Sequence, residues 1–101
     1  MKVVKRDGKI VDFDENKIRT AVGKANTDVD TKERATDIEI EEIISYIKDL
    51  GIEKMHVEEI QDIVENKLMN FNRNILAKKY IIYRYNRELI RKSENTTDQT
   101  V

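Results

Sequence analysis

Apolar residues recur along this chain in two rhythms, and the change of rhythm divides it. In residues 1–13, Val3, Val4, Ile10, Val11 and Phe13 form two short runs on either side of Asp7-Gly8. That dipeptide is a strong hairpin signal, so strands are predicted near 2–6 and 9–13. From Asp14 onward the spacing becomes helical. Asp14 suits an N-cap, and Ile18, Ala21, Val22 and Ala25 follow on one face of a first helix. Asn26 to Asp30 reads as a turn. A second helix carries Ile40, Ile43, Ile44 and Ile47 and ends at Gly51, a natural residue for the position after a C-cap. A third shows Val57, Ile60, Val64 and Leu68, and polar residues from Asn70 to Asn74 interrupt the pattern. The last helix is predicted from about Ile75 to Arg91, with Leu76, Tyr80 and Tyr83 on one face and Ile81 and Tyr85 on others.

With no proline in the sequence, nothing breaks these helices internally. The ending SENTTDQTV is polar and unpatterned, which predicts a disordered tail or linker over 93–101. A hairpin this small is marginal alone in water, so it is expected to pack its Val4, Ile10 or Phe13 side against the helices. Its turn then sits at a mouth between hairpin and helices, a usual place for a small-molecule site.

Length and composition narrow the classes. At 101 residues, 39% apolar and 39% charged, the chain is one small domain rich in surface. No apolar run approaches the ~18 residues of a membrane span, and the N-terminus has no apolar signal core. Cysteine is absent, which removes disulfides, thiolate metal sites and thiol nucleophiles. A cytoplasmic, non-membrane protein is expected. The net charge of −1 conceals segregation: residues 1–24 hold seven bases against four acids, 28–66 four against thirteen, and 67–92 eight against Glu88 alone. If hairpin and last helix are neighbours, they build one basic surface that attracts phosphate.

Three chemistries compete for that surface. Catalysis has little support, since His56 is the one histidine and has no nucleophile beside it. The carboxylates of 39–65 lie opposite the apolar stripes, as on a solvated face, and no cluster of His or Cys suggests a metal. A nucleic-acid module would use Lys78, Lys79, Arg84, Arg87, Arg91 and Lys92, interleaved with Tyr80, Tyr83 and Tyr85. A pI near 5.9 argues against that rival. The third reading is a nucleoside triphosphate pocket, with Lys5 and Arg6 leaving the first strand, Lys17 one turn into the first helix, and that helix's positive N-terminus nearby. There is no Walker-type glycine loop, so this would be a different phosphate cradle.

The segments VVKRDGKIVDFDENKIRTAV, VEEIQDIVENKL and AKKYIIYRYNRELIR resemble, in this order, the ATP-cone domain of ribonucleotide reductases, over roughly residues 2–92. The KRDG hairpin and the Y-R-x-x-R ending are together fairly specific. The YIIYRYNRELIR block looks most like the anaerobic class III (glycyl-radical) ribonucleoside-triphosphate reductases, whose cone opens the large chain. A bacterial repressor of reductase genes also carries a cone, but behind a zinc ribbon; the start at Met1 and the lack of cysteine set it aside.

The resemblance implies a mostly helical α+β fold, an N-terminal β-hairpin capping a four-helix bundle. It implies an allosteric regulatory domain, not an enzyme on its own, in which ATP supports and dATP inhibits the parent reductase. Residues 1–92 would be the cone, excised from a longer chain. The effector would be ATP or dATP, with or without Mg²⁺, and with no intrinsic metal. The implied partners are the parent's catalytic domain and other copies of the full-length enzyme in nucleotide-dependent oligomers. Carried over by position, Lys5, Arg6, Lys17 and Arg87 match phosphate contacts. Val3, Phe13, Ile18 and Ile60 match apolar positions around adenine, Asp14 lies by the base edge, and Val57 and Gln61 match positions near the ribose and phosphates. His56, Tyr83 and Arg84 are candidates for a second nucleotide. Val11 stands where some cones place an acid that reads the adenine amine, and Gln61 stands for a histidine of some relatives.

Overall fold

A computed structural model describes the backbone of residues 1–100 and the side chains through Ile90. The elements follow in the order β1 (Lys2–Val4), β2 (Ile10–Asp12), α1 (Glu15–Asn26), a 3₁₀ turn (Thr31–Glu33), α2 (Asp37–Asp49), β3 (Lys54–His56), α3 (Val57–Asn70) and α4 (Asn74–Thr100). This is the expected mostly helical α+β domain of hairpin and four helices, with a third strand added. The sheet order is β2-β1-β3, β1 running antiparallel to β2 and parallel to β3. The backbone of α4 continues as helix through Thr100, beyond the apolar stripe that predicted an end near Arg91. Arg91 and Lys92 have side chains outside the described residues.

The turn differs from the predicted one by a single residue, with large consequences. A two-residue Asp7-Gly8 turn would pair Arg6 with Lys9 and Val4 with Val11. Instead Lys5 N–H donates to the Lys9 carbonyl at 2.8 Å, and Gly8 N–H donates to the Lys5 carbonyl at 2.9 Å. Arg6, Asp7 and Gly8 therefore form a three-residue loop, with Gly8 at φ 88°, a conformation open to glycine. Asp7 Oδ1 accepts the Lys9 N–H at 3.0 Å. Val3 now faces Val11 where the two-residue turn would have set Val4, so the slip reverses which side of β1 shares a face with Val11 and Phe13. Val3, Val11 and Phe13 turn inward; Ile10, expected to pack, is 54% exposed.

Local chemistry explains the helix ends. Asp14 caps α1, accepting the Asn16 N–H at 3.0 Å. Thr36 and Glu39 form a reciprocal capping box at the start of α2, and Gly51 at φ 65° follows its end. The polar break after α3 is a Schellman turn: Asn72 sits at φ 63°, while Arg73 and Asn72 N–H donate to the Leu68 and Met69 carbonyls. The core joins one stripe from each helix, with Val22, Ile43, Ile47, Val64, Leu68 and Leu76 essentially inaccessible, and Val3 and Met55 closing it from the sheet. On the outer side Arg19 binds Glu15 and Glu41, and Lys48 binds Glu15, tying α1 to α2. No helix among the described residues is long and apolar enough to cross a membrane.

Candidate functional site

Where the inner face of the hairpin meets α1, α3 and α4, the side chains leave a chamber of about 80 Å³. Its apolar wall is built from Val3 and Val11 on paired strands, Phe13 at the end of β2, Ile18 and Ala21 on α1, and Val57 and Ile60 on α3. Three cations reach it from three elements: Lys5 just beyond β1, Lys17 in the first turn of α1, and Arg84 on α4. Each position follows from the fold. Lys5 is two residues after Val3 and so shares its inward face. Lys17 is one residue before the buried Ile18, at the chamber's edge of the stripe. Arg84 lies one turn beyond Tyr80, which is 3% exposed and also lines the chamber.

Two grooves open from it. One, of about 250 Å³, runs between the start of α1 and α4, where Lys17 and Arg84 are joined by Tyr83 and Arg87. The other, of about 200 Å³, lies between α3 and α4 and holds Arg6, Asp62, Glu65 and Glu88, with Gln61, Tyr80 and Arg84 shared with the chamber. A larger hollow, about 680 Å³, is an open trough on the outer face of α2 and α3. It carries Asp37, Glu41, Glu42 and Asp49 against a lone Lys67 that sits over the Tyr46 ring at 3.8 Å. Four carboxylates repel an anion, so the small basic chamber is the better phosphate site.

Of the residues singled out in the sequence, Val3, Lys5, Phe13, Asp14, Lys17, Ile18, Val57, Ile60 and Gln61 line the chamber together. Arg84, assigned to a second ligand, lines the same chamber and both grooves. Arg87 and Tyr83 lie in the adjoining basic groove. His56 does not join them. It ends β3 as an exposed residue opposite Val4 and caps α3 without a side-chain hydrogen bond.

Arg6 is near but turned aside. Its guanidinium pairs with Glu88, lies 3.2 Å from Glu58 through Nε, and donates from Nη2 to Gln61 Oε1 at 3.0 Å. The sequence reading missed Ala21, Tyr80 and Asp12 as lining residues. Ala21 and Tyr80 stand in core stripes, where a wall residue looks like any other buried one. Asp12 sits beside Lys2, its cross-strand partner, whose ammonium holds the carboxyl below its ordinary value, mainly by a hydrogen bond. Burial pushes the Tyr80 phenol up to about 12, so it stays protonated at neutral pH. Asp14 spends one oxygen on the Asn16 N–H and remains at the chamber rim, the one acid there beside Asp12. Among the described residues, no group of three or more His, Cys, Asp and Glu side chains gathers as a metal site.

An apolar chamber with cations converging from strand and helices suits a flat base with an attached polyanion. Comparison with known proteins agrees with that class. The chain matches the ATP cone domain family over residues 1–89 and belongs to it. A vitamin B12-dependent ribonucleoside-diphosphate reductase of Thermoplasma acidophilum is 39% identical over 99 residues, which cover 91% of this chain and 12% of that protein. The ribonucleoside-diphosphate reductase subunit alpha of Chlamydia trachomatis serovar D is 32% identical over 115 aligned residues, covering 100% of this chain and 11% of that protein. The chain thus spans a small fraction of these curated relatives.

Proposed function

We propose that this domain binds ATP and dATP in the hairpin chamber and acts as the regulatory cone of a ribonucleotide reductase. The observation that carries the reading is the convergence of Lys5, Lys17 and Arg84 on one apolar chamber, with Arg87 in the groove that continues it. Val3, Phe13, Ile18, Val57 and Ile60 enclose the adenine, and the phosphates run toward Lys17 and Arg87. Charge-assisted contacts from lysine and arginine suit that ligand. Adenine recognition then rests on Asp14 or on backbone groups, since Val11 cannot accept the adenine amine. Mg²⁺ arrives on the triphosphate rather than being held by the protein. Gln61 stands between the base chamber and Arg6. A second nucleotide would have to use Tyr83 and Arg84, because His56 lines neither the chamber nor the two grooves.

In the parent protein the nucleotide acts on a separate catalytic domain and on self-association, because the cone's own residues offer no reaction. The wording of the YIIYRYNRELIR block favours the anaerobic triphosphate class, whereas both relatives named above are diphosphate reductases. The comparisons therefore support the reductase cone and not the class. A cytoplasmic location goes with this reading. Calorimetry of the domain with ATP, dATP, GTP and a short single-stranded DNA at two salt concentrations tests it. Binding of both adenine nucleotides without turnover, and weak GTP and DNA binding, is expected. Tight DNA binding that falls steeply with salt, without preference for adenine, would favour the nucleic-acid module instead. The placement of Tyr80 in the core and Arg84 at the chamber already draws two of that module's residues inward.

A further inference from the structure

Arg6 carries the motif's guanidinium, yet it occupies a groove lined by Asp62, Glu65 and Glu88. Even with Arg84 at its border, the groove sets three carboxylates against two guanidiniums, which disfavours phosphate there. For Arg6 to meet phosphate, it must leave Glu88 and Glu58 and swing past Gln61, which borders both groove and chamber. The contacts also link three elements, since Arg6 belongs to the hairpin turn, Glu58 to the first turn of α3 and Glu88 to α4. The chamber itself has about 80 Å³ of free space, below the ~300–1,000 Å³ of small-molecule sites, and continues into the two grooves.

We infer that Glu88, assisted by Glu58, is an internal anion that occupies Arg6 in the empty domain and sets nucleotide affinity by competing with phosphate. The inference rests on the nucleotide reading above and adds to it two acidic residues that oppose binding. Glu88 is the stronger competitor, because its side chain is 28% exposed against 68% for Glu58, and screening weakens the more exposed pair. If only the released Arg6 is competent, apparent affinity falls by the fraction released. Partly exposed ion pairs of this kind correspond to a roughly twofold to sixfold weakening.

The test is a double-mutant cycle read by calorimetry with ATP and AMP. Glu88→Gln should tighten ATP about twofold to sixfold, Glu58→Gln by less than about twofold, and AMP should hardly change in either. In an Arg6→Ala background, which itself weakens ATP, Glu88→Gln should leave ATP affinity within about 1.5-fold. Unchanged or weaker ATP binding by Glu88→Gln, with wild-type binding intact, overturns the inference and leaves the nucleotide reading standing. The same holds if the gain persists without Arg6, since simple repulsion would then explain it. Absence of ATP binding by the wild type overturns both. Should Glu88→Gln fail to fold, Glu88→Ala takes its place with the same expected and overturning results.

Discussion

Ala21 offers a way to separate the chamber from the fold. It is 2% exposed, belongs to the core stripe of α1, and lines both the chamber and the basic groove. Ala21→Leu puts a larger side chain into the space proposed for the base. Filling all of the chamber's 80 Å³ at ~24 cal/mol per Å³ would stabilise the empty domain by at most about 2 kcal/mol. Overpacking opposes this by about 1–3 kcal/mol, because Phe13, Ile60 and Tyr80 have limited room to move. The net effect on the empty protein is then within about 1 kcal/mol of zero, or roughly 4–8 °C in Tm. Wild-type protein at ATP a hundredfold above its Kd gains about 2.7 kcal/mol, on the order of 10–20 °C. The substitution should abolish most of that shift while leaving the empty Tm close to wild type. Thermal scans with and without ATP measure both quantities in one series, with Ala21→Val as a milder step. If Ala21→Leu folds and keeps the full ATP shift, the base does not occupy this chamber and the reasoning fails.

Three further outcomes follow from the same geometry. Lys5→Ala and Lys17→Ala should each weaken ATP by ~10- to 150-fold, the equivalent of about 1.5–3 kcal/mol, whereas Lys2→Ala, whose ammonium pairs with Asp12 and does not line the chamber, should not; calorimetry decides. Toward acid, Glu15 is held below its ordinary 4.5, chiefly by Lys48 and then Arg19, and Glu41 by Arg19. Their lowered folded values mean a contribution present above 4.5 and lost as pH falls through them, so Arg19→Ala should flatten the acid limb of a Tm–pH curve. Toward alkali the sign reverses. The Tyr80 phenol, raised from 10.0 to about 12 by burial, contributes stability in full below 10 that is lost as pH rises toward 12, and Tyr80→Phe should remove that step from urea melts.

The helices were legible because each buries one continuous stripe, and a stripe such as Ile40, Ile43, Ile44 and Ile47 has one plausible period. Caps were legible where a side chain does the capping, as at Asp14; the Thr36–Glu39 box was equally present in the sequence as T-x-x-E. The strand Lys54–His56 was not, because it buries Met55 alone between two exposed residues, and its partner β1 lies far away in sequence. The hairpin's inward face was misread for a different reason. Asp7-Gly8 permits a two-residue or a three-residue loop, which decides whether Val4 or Val3 faces Val11; within the three-residue register, packing against the helices selects the Val3–Val11 face over the Val4–Ile10 face. For the site, position along the chain located Lys5 and Lys17. It could not reveal that Arg84 shares their chamber or that Arg6 is engaged by Glu58 and Glu88, contacts that span more than fifty residues of sequence.

The central claim is that an adenine nucleotide sits between the hairpin, α1 and α4, and amide chemical-shift mapping of the ¹⁵N-labelled domain tests it most directly. Titration with ATP should move the resonances of Lys5, Phe13, Lys17, Ala21, Gln61 and Arg84, with saturation, while Glu42, Tyr46 and Lys67 on the α2–α3 trough stay in place. Saturable shifts confined to the trough, or to the outer face of α4 around Ile82 and Leu89, would contradict the account.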